Sequence, residues 1–134
     1  MSFEMTIAWG DCDAAGIVFY PNFFRWFDTS FQHLLAAKGL DQRSLTGRFG
    51  IIGTPLADAG ARFIRPATYG DVIAIDSHIS DWSEKRFTVA HVVHRGTDTL
   101  AEGHELRFWG TRDAKTGKLG AAPIDPDFRT LMTS

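Results

Sequence analysis

Between Gly10 and Asn22 the chain gathers two acids, a lone cysteine, a glycine turn and a proline. Gly10-Asp11-Cys12-Asp13-Ala14-Ala15-Gly16 is small and turn-forming, so it reads as a loop. Ile17 to Tyr20 leads into Pro21, and proline is favoured at the first helical position, where its missing N–H would be unpaired anyway. A helix start offers free N–H groups and the positive end of the helix dipole, which suits a carboxylate or a developing oxyanion. Pro21 cannot donate. The donors are therefore the N–H of Tyr20, just before the helix, and those of Asn22 or Phe23 within it. An acid in the preceding loop can attack, or activate water against, a carbonyl whose oxygen points at those donors. Acyl transfer is the reaction class this arrangement points to, although on spacing alone a capping or solvated turn acid is the commoner reading of Asp13.

Other reactive residues carry less. Cys12 has no His within the motif to activate it and reads as a small buried residue. Five histidines do not make a zinc site: His91 and His94 are three apart, which on a strand puts them on opposite faces, and His104-Glu105 lacks the second His of a zincin helix. No metal is expected. Lys85-Arg86 reads as a solvated turn whose long cationic side chains suit a phosphate.

The element that must carry the loop is a helix. From Asn22 to Lys38, Phe23, Phe24, Phe27, Phe31, Leu34 and Leu35 form an apolar stripe, and Gly39 supplies the stop. Arg25, Asp28, Thr29 and Gln32 form a more polar face, with Trp26, Ser30 and His33 near the boundary. Met1 to Trp9 alternates as a strand. Asp41 to Arg48 reads as a polar loop. Beyond it the chain reads as strands alone: one within Gly50–Thr68, bent around Gly53-Thr54-Pro55 and Gly60, then Val72 to Asp81, Phe87 to His94 and Leu100 to Arg112. Ser83-Glu84 and Gly96-Thr97-Asp98 make turns between consecutive antiparallel neighbours. Thr116 to Gly120 and Pro123 to Pro126 mark a frayed end. One long helix across a curled antiparallel sheet leaves other faces thinly covered, so association with another copy is expected.

The chain has 134 residues, 44% of them hydrophobic and 22% charged, which fits a single soluble domain over residues 1–134. A formal charge of −2 excludes a domain-wide basic field for nucleic acid. One cysteine allows no internal disulfide and suits a reducing compartment. No apolar run reaches the roughly 18 residues of a membrane span, and the amino terminus lacks the basic-then-apolar order of a signal peptide. A cytoplasmic protein without membrane or nucleic-acid partners is expected.

The motif also carries a family resemblance. Gly10 to Phe23, followed by Arg25-Trp26-Phe27-Asp28, resembles the signature of the hotdog-fold thioesterases, and within them is most similar to the 4-hydroxybenzoyl-CoA thioesterase family. The likeness runs from about Thr6 to Asp113 and recurs in Gly50-Ile51-Ile52-Gly53-Thr54-Pro55, Tyr69-Gly70-Asp71-Val72 and Trp82. It implies an α+β hotdog fold, a long helix wrapped by a curved antiparallel sheet, with dimers that join their sheets and often a homotetramer. Acyl-CoA would bind at the subunit interface, coenzyme A being part of the substrate and no separate cofactor being needed. Asp13 matches the catalytic carboxylate, as nucleophile or general base. Tyr20 matches the residue whose backbone N–H polarises the thioester carbonyl. Asp28 matches a helix position that meets the ring hydroxyl of the substrate, and Thr54 a position near the acyl group contributed by the partner chain.

There are departures. Ser83 and Glu84 stand where a basic cluster holds the CoA phosphates, which leaves Lys85 and Arg86, with Arg62, Arg65 or Arg107 as alternatives. Ala14 stands where proline is usual, which loosens the loop without removing the acid. The expected activity is hydrolysis of an aromatic acyl-CoA. Its rivals are a short-chain or branched aliphatic acyl-CoA thioesterase, a hydratase on enoyl thioesters, for which no His stands beside Asp13, and a non-catalytic acyl-CoA-binding module.

Overall fold

A computed structural model describes residues 2–134. The expected long helix is α1, Pro21–Ala37, with Pro21 in its first turn. It stops at Gly39, whose φ of 75° is a left-handed conformation that glycine adopts without strain. Its buried residues are Phe23, Trp26, Phe27, Ser30, Phe31 and Leu35. The buried stripe is thus rotated from the expected one. Trp26 and Ser30 turn inward while Phe24 and Leu34 sit at its margin.

Five antiparallel strands form the sheet: β1 (Ser2–Thr6), β2 (Leu56–Phe63), β3 (Val72–Trp82), β4 (Arg86–Arg95) and β5 (Asp98–Phe108), in the order β1-β3-β4-β5-β2. Met1, which the alternation includes in the first strand, lies outside the described residues. Period-2 alternation sends Ile73, Ile75 and Ser77 of β3, and Phe87, Val89, His91 and Val93 of β4, to the inner face. On that face α1 builds two apolar clusters. Phe23, Trp26 and Phe27 meet Ile73, Ile75, Val93 and Leu100 toward its amino end, and Phe31 and Leu35 meet Phe87 and Val89 toward its carboxyl end. This is the α+β arrangement expected, with one helix lying across the antiparallel sheet.

Two segments expected to be irregular are ordered instead. Asp41 to Arg48, expected as a loop, is mostly α2 (Gln42–Phe49): Asp41 caps it by accepting from the Ser44 N–H at 2.9 Å, and Gly50 closes it with φ 65°. The end expected to fray folds instead. Gly110–Arg112 (β6) pairs with Leu119–Ala121 (β7), and α3 spans Pro126–Thr133 behind the Asp125 cap. Each short helix buries one residue fully, Leu45 or Phe128, and one anchor creates no apolar period to read. Phe128 packs against Trp82, Phe87 and Trp109. The last expected strand, Leu100 to Arg112, breaks at Trp109, which separates β5 from β6. No described helix is long and apolar enough to cross a membrane.

Gly103 of β5 sets how close α1 approaches the sheet. A Cβ there would lie 2.4 Å from Cε2 and 2.5 Å from Cζ of Phe27, whose ring is fully buried and has no room to withdraw. Gly103→Ala is therefore expected to destabilise the chain by about 2 kcal/mol through overpacking. Urea unfolding measures it, and Phe27→Leu in the same chain should recover part of the loss, whereas additive losses would refute the contact.

Candidate active site

The loop before α1 is held by its own backbone. Trp9–Asp11 forms a short 3-10 turn. The Asp11 carboxylate accepts from the Ala8 N–H at 2.9 Å and lies 3.5 Å from the Arg25 guanidinium. Its backbone carbonyl accepts from the Phe19 N–H and from Asn22 Nδ2, both at 2.9 Å. Asp11 thus ties the loop to the first turn of α1. Cys12 pairs with Val18 across the loop, its thiol 3.9 Å from the Ala8 carbonyl.

Asp13 occupies the tip. Its N–H donates to the Ile17 carbonyl at 2.9 Å and its carbonyl accepts from Gly16 at 3.0 Å, Gly16 taking φ 79° to close the turn. Oδ1 accepts from the Ala15 N–H at 2.9 Å, an Asx turn that fixes the carboxylate. Oδ2 accepts nothing among the described residues, and the residue is exposed. One oxygen positions the acid while the other is free to react.

The N–H groups at the helix start are not equivalent. Asn22 donates to the Phe19 carbonyl at 3.0 Å and Phe23 to the Tyr20 carbonyl at 3.1 Å. Tyr20 N–H has no acceptor among the described residues. Of the three donors left open by the sequence, only Tyr20 keeps a free N–H for an oxyanion. A cavity of about 320 Å³ opens beside it, lined by Ile17, Val18, Tyr20, Phe23, Phe63 and the 64–67 segment.

Asp28 lies about 12 Å along the helix from Tyr20 at 1.5 Å per residue. It lines a separate groove with Gln32, His33 and Gln42. Its Oδ1 accepts from Arg107 Nη2 at 2.7 Å and from Gln32 Nε2 at 3.2 Å. Thr54 is buried, and its carbonyl accepts from Arg107 Nη1 at 2.8 Å. The same guanidinium therefore joins Asp28 and Thr54 of one chain. Lys85 and Arg86 sit in the β3–β4 turn and at the start of β4, beside the cluster at the carboxyl end of α1. A ten-residue strand of roughly 30 Å separates that end from the loop, so one chain does not bring them to Asp13. Arg107, an alternative phosphate contact, is only 5% exposed and cannot serve as one.

Sequence reasoning missed the buttress behind the loop. Thr68 Oγ1 donates to the Gly16 carbonyl at 2.6 Å, Ile17 bridges to Thr68, and Val18 N–H donates to the Ala67 carbonyl at 2.9 Å. Asp71 holds this segment by accepting from the Thr68 N–H at 2.9 Å and from Arg95 Nη1 at 2.7 Å. Asp71 is three residues after Thr68 in Thr68-Tyr69-Gly70-Asp71, a turn pattern that was available as a signal. The Thr68 N–H first, and the Arg95 guanidinium after it, hold the Asp71 carboxyl below the ordinary carboxylate range against the desolvation that raises it. A depressed pKa in the folded chain means that the stabilisation is present above the unfolded value of about 3.9 and is lost as pH falls through the folded pKa. Asp71→Asn should therefore lose less stability than the native chain between about pH 6 and about pH 3. Urea unfolding at both pH values checks it, and equal losses would refute the assignment.

The chain matches the thioesterase-like superfamily over residues 7–130. It is 32% identical over 139 residues to 4-hydroxybenzoyl-CoA thioesterase of Pseudomonas sp. strain CBS-3, covering 99% of this chain and 97% of that protein. A crystal structure of a mutant 4-hydroxybenzoyl-CoA thioesterase complexed with 4-hydroxybenzoyl-CoA superposes with a TM-score of 0.88 at 32% identity, over 98% of this chain and 97% of that one. A gentisyl-coenzyme A thioesterase superposes with a TM-score of 0.84 at 30% identity, over the full length of both chains. With its loop, helix and sheet matched nearly end to end, the chain belongs to the thioesterase-like superfamily and has the hotdog fold of these enzymes.

Proposed function

We propose that the protein hydrolyses an aromatic acyl-CoA, of the 4-hydroxybenzoyl type, to the carboxylic acid and free CoA. The observation that carries this reading is the pairing of a free Tyr20 N–H with the free Oδ2 of Asp13 on one buttressed loop. The thioester oxygen accepts from Tyr20 N–H, where negative charge develops in the transition state. Asp13 supplies the other half of the reaction. Either it removes a proton from water as the water oxygen attacks the carbonyl carbon, or it attacks that carbon itself and water opens the resulting anhydride. In both routes the C–S bond breaks and the thiolate of CoA leaves and is protonated.

The assembly is part of the reading. Tyr20 lines one cavity and Asp28 another. Trp9, Phe19, Tyr20 and Tyr69 expose between 51% and 73% of their surface around the loop, an apolar cluster suited to a second copy. We infer a homo-oligomer, a dimer or a dimer of dimers, in which the loop of one copy faces the Asp28 groove of another. Asp28 there meets the acyl group, with Thr54 beside it because Arg107 holds both. Lys85 and Arg86 reach the CoA phosphates of a site on another copy. A cytoplasmic setting, where acyl-CoA is present and Cys12 stays a thiol, fits this role.

Release of CoA thiol from benzoyl-, hydroxybenzoyl-, phenylacetyl- and short aliphatic-CoA esters tests the reading. The hydroxybenzoyl ester should be the best substrate. Asp13→Asn keeps the shape and removes the charge, and it should lower kcat/KM at least about 100-fold, on the order of 3 kcal/mol. Full activity in Asp13→Asn, or binding of every ester without thiol release, would reject it.

A further inference from the structure

Behind Asp28 runs a line of buried polar side chains that the proposed reaction does not use. Arg107 Nη2 donates to Asp28 Oδ1 at 2.7 Å and to Glu105 Oε2 at 2.8 Å. Glu105 Oε1 is 2.7 Å from His91 Nε2, His91 Nδ1 is 2.6 Å from Ser77 Oγ, and Ser77 Oγ is 2.6 Å from Ser30 Oγ. Ser30, Ser77, His91, Glu105 and Arg107 are all at least nine-tenths buried. With Nε2 donating to Glu105, Nδ1 accepts from Ser77 and Ser77 accepts from Ser30, so each link has one direction. The rings of α1 close the line from one side: Phe27 stacks on His91 at 4.8 Å, and Arg107 Cζ lies 4.5 Å over Phe31.

Arg107 is the one cation between two carboxylates. Glu105 is buried and needs its charge partner, and the Thr54 carbonyl takes a further N–H, so the guanidinium has no freedom to turn. Asp28, half-exposed, is the only member of the line that reaches solvent through its carboxylate. Its Oδ1 is occupied twice while Oδ2 accepts nothing among the described residues. A carboxylate held this way accepts and cannot donate, so it matches a ligand hydroxyl and repels a ligand carboxylate.

We propose that Arg107, held by Glu105, which His91 holds in turn, is the positioning residue that makes Asp28 select acyl groups bearing a hydroxyl. The proposal deepens the aromatic acyl-CoA reading and rests on it. Lysine at 107 keeps the charge but cannot span Asp28, Glu105 and the Thr54 carbonyl together.

The test is the ratio of kcat/KM for 4-hydroxybenzoyl-CoA over benzoyl-CoA, measured on the native chain, Asp28→Asn, Arg107→Lys and the double variant. The native ratio should be high, because a site built for a hydroxyl rejects the analogue that lacks it. Arg107→Lys should lower the ratio roughly tenfold or more, mostly through KM of the hydroxylated ester, and should lower it no further when Asp28 is already Asn. Glu105→Gln, close to the native shape, is the second variant should Arg107→Lys fail to fold, and it should lower the ratio in the same direction. A native preference for the hydroxylated ester, with both variants slowing the two esters in equal proportion, would make the line merely structural and overturn the proposal. Hydrolysis without preference for the hydroxyl overturns it too, while leaving the thioesterase reading intact. Hydrolysis of neither ester removes both.

Discussion

The close approach of Phe27 to Gly103 is the constraint on which the rest of the molecule depends. Only a residue without Cβ lets the ring reach the sheet, and that contact fixes the height of α1 above β5. Its two ends do different work. At the amino end the helix start sets Tyr20 N–H beside an apolar cavity, and two turns further on it presents Asp28 over the inner face of the sheet. Phe27 itself covers His91, so the ring that seats the helix also seals the buried polar line from water.

Two carboxylates then follow the same physical design. Each has Oδ1 committed, Asp13 to the Ala15 N–H and Asp28 to Arg107, and each leaves Oδ2 open. Their surroundings differ in kind. Asp13 is held by backbone alone, in a loop whose shape comes from Gly16, Thr68 and Asp71, and such a site leaves the acid exposed for chemistry. Asp28 is held by a charged side chain that is itself buried, which costs desolvation that the bonds to Glu105 and the Thr54 carbonyl offset, with Nε–H left unpaired among the described residues. Backbone support suits the reacting acid of the proposed hydrolysis. Ionic support suits the recognising acid of the proposed site.

Legibility in the sequence followed the range of the interaction. The loop, Pro21 and α1 were readable because turn residues, a proline and an apolar stripe are local signals over about twenty residues. The strands were readable from alternation, as in Phe87, Val89, His91 and Val93. α2 and α3 were not, since a single buried anchor each, Leu45 and Phe128, leaves no period. Which helix-start donor stays free was also closed to sequence reasoning, because it turns on the bonds that Asn22 and Phe23 make to Phe19 and Tyr20.

Arg107 shows the limit most sharply. As a sequence symbol it is one more cation for a phosphate, but its strand phase says otherwise. Glu105 and Arg107 share the phase of buried Ala101 and of Gly103 beneath Phe27, as His91 shares that of Val89 and Val93, and Ser77 that of Ile73 and Ile75. Polar residues repeated on the inward phase of three adjacent strands cannot remain unpaired, and the register sets Ser77 opposite His91, with Glu105 opposite Val89, one inward position away. The pairing that results is internal except at its end. There a buried cation meets an exposed carboxylate, and in the proposed reading the charge accounting of the core becomes a preference at the surface: the guanidinium is fixed through Nη1 and Nη2, although its Nε–H is left without a partner among the described residues, and what the open oxygen of the carboxylate still lacks is a donor, which a hydroxylated ligand brings.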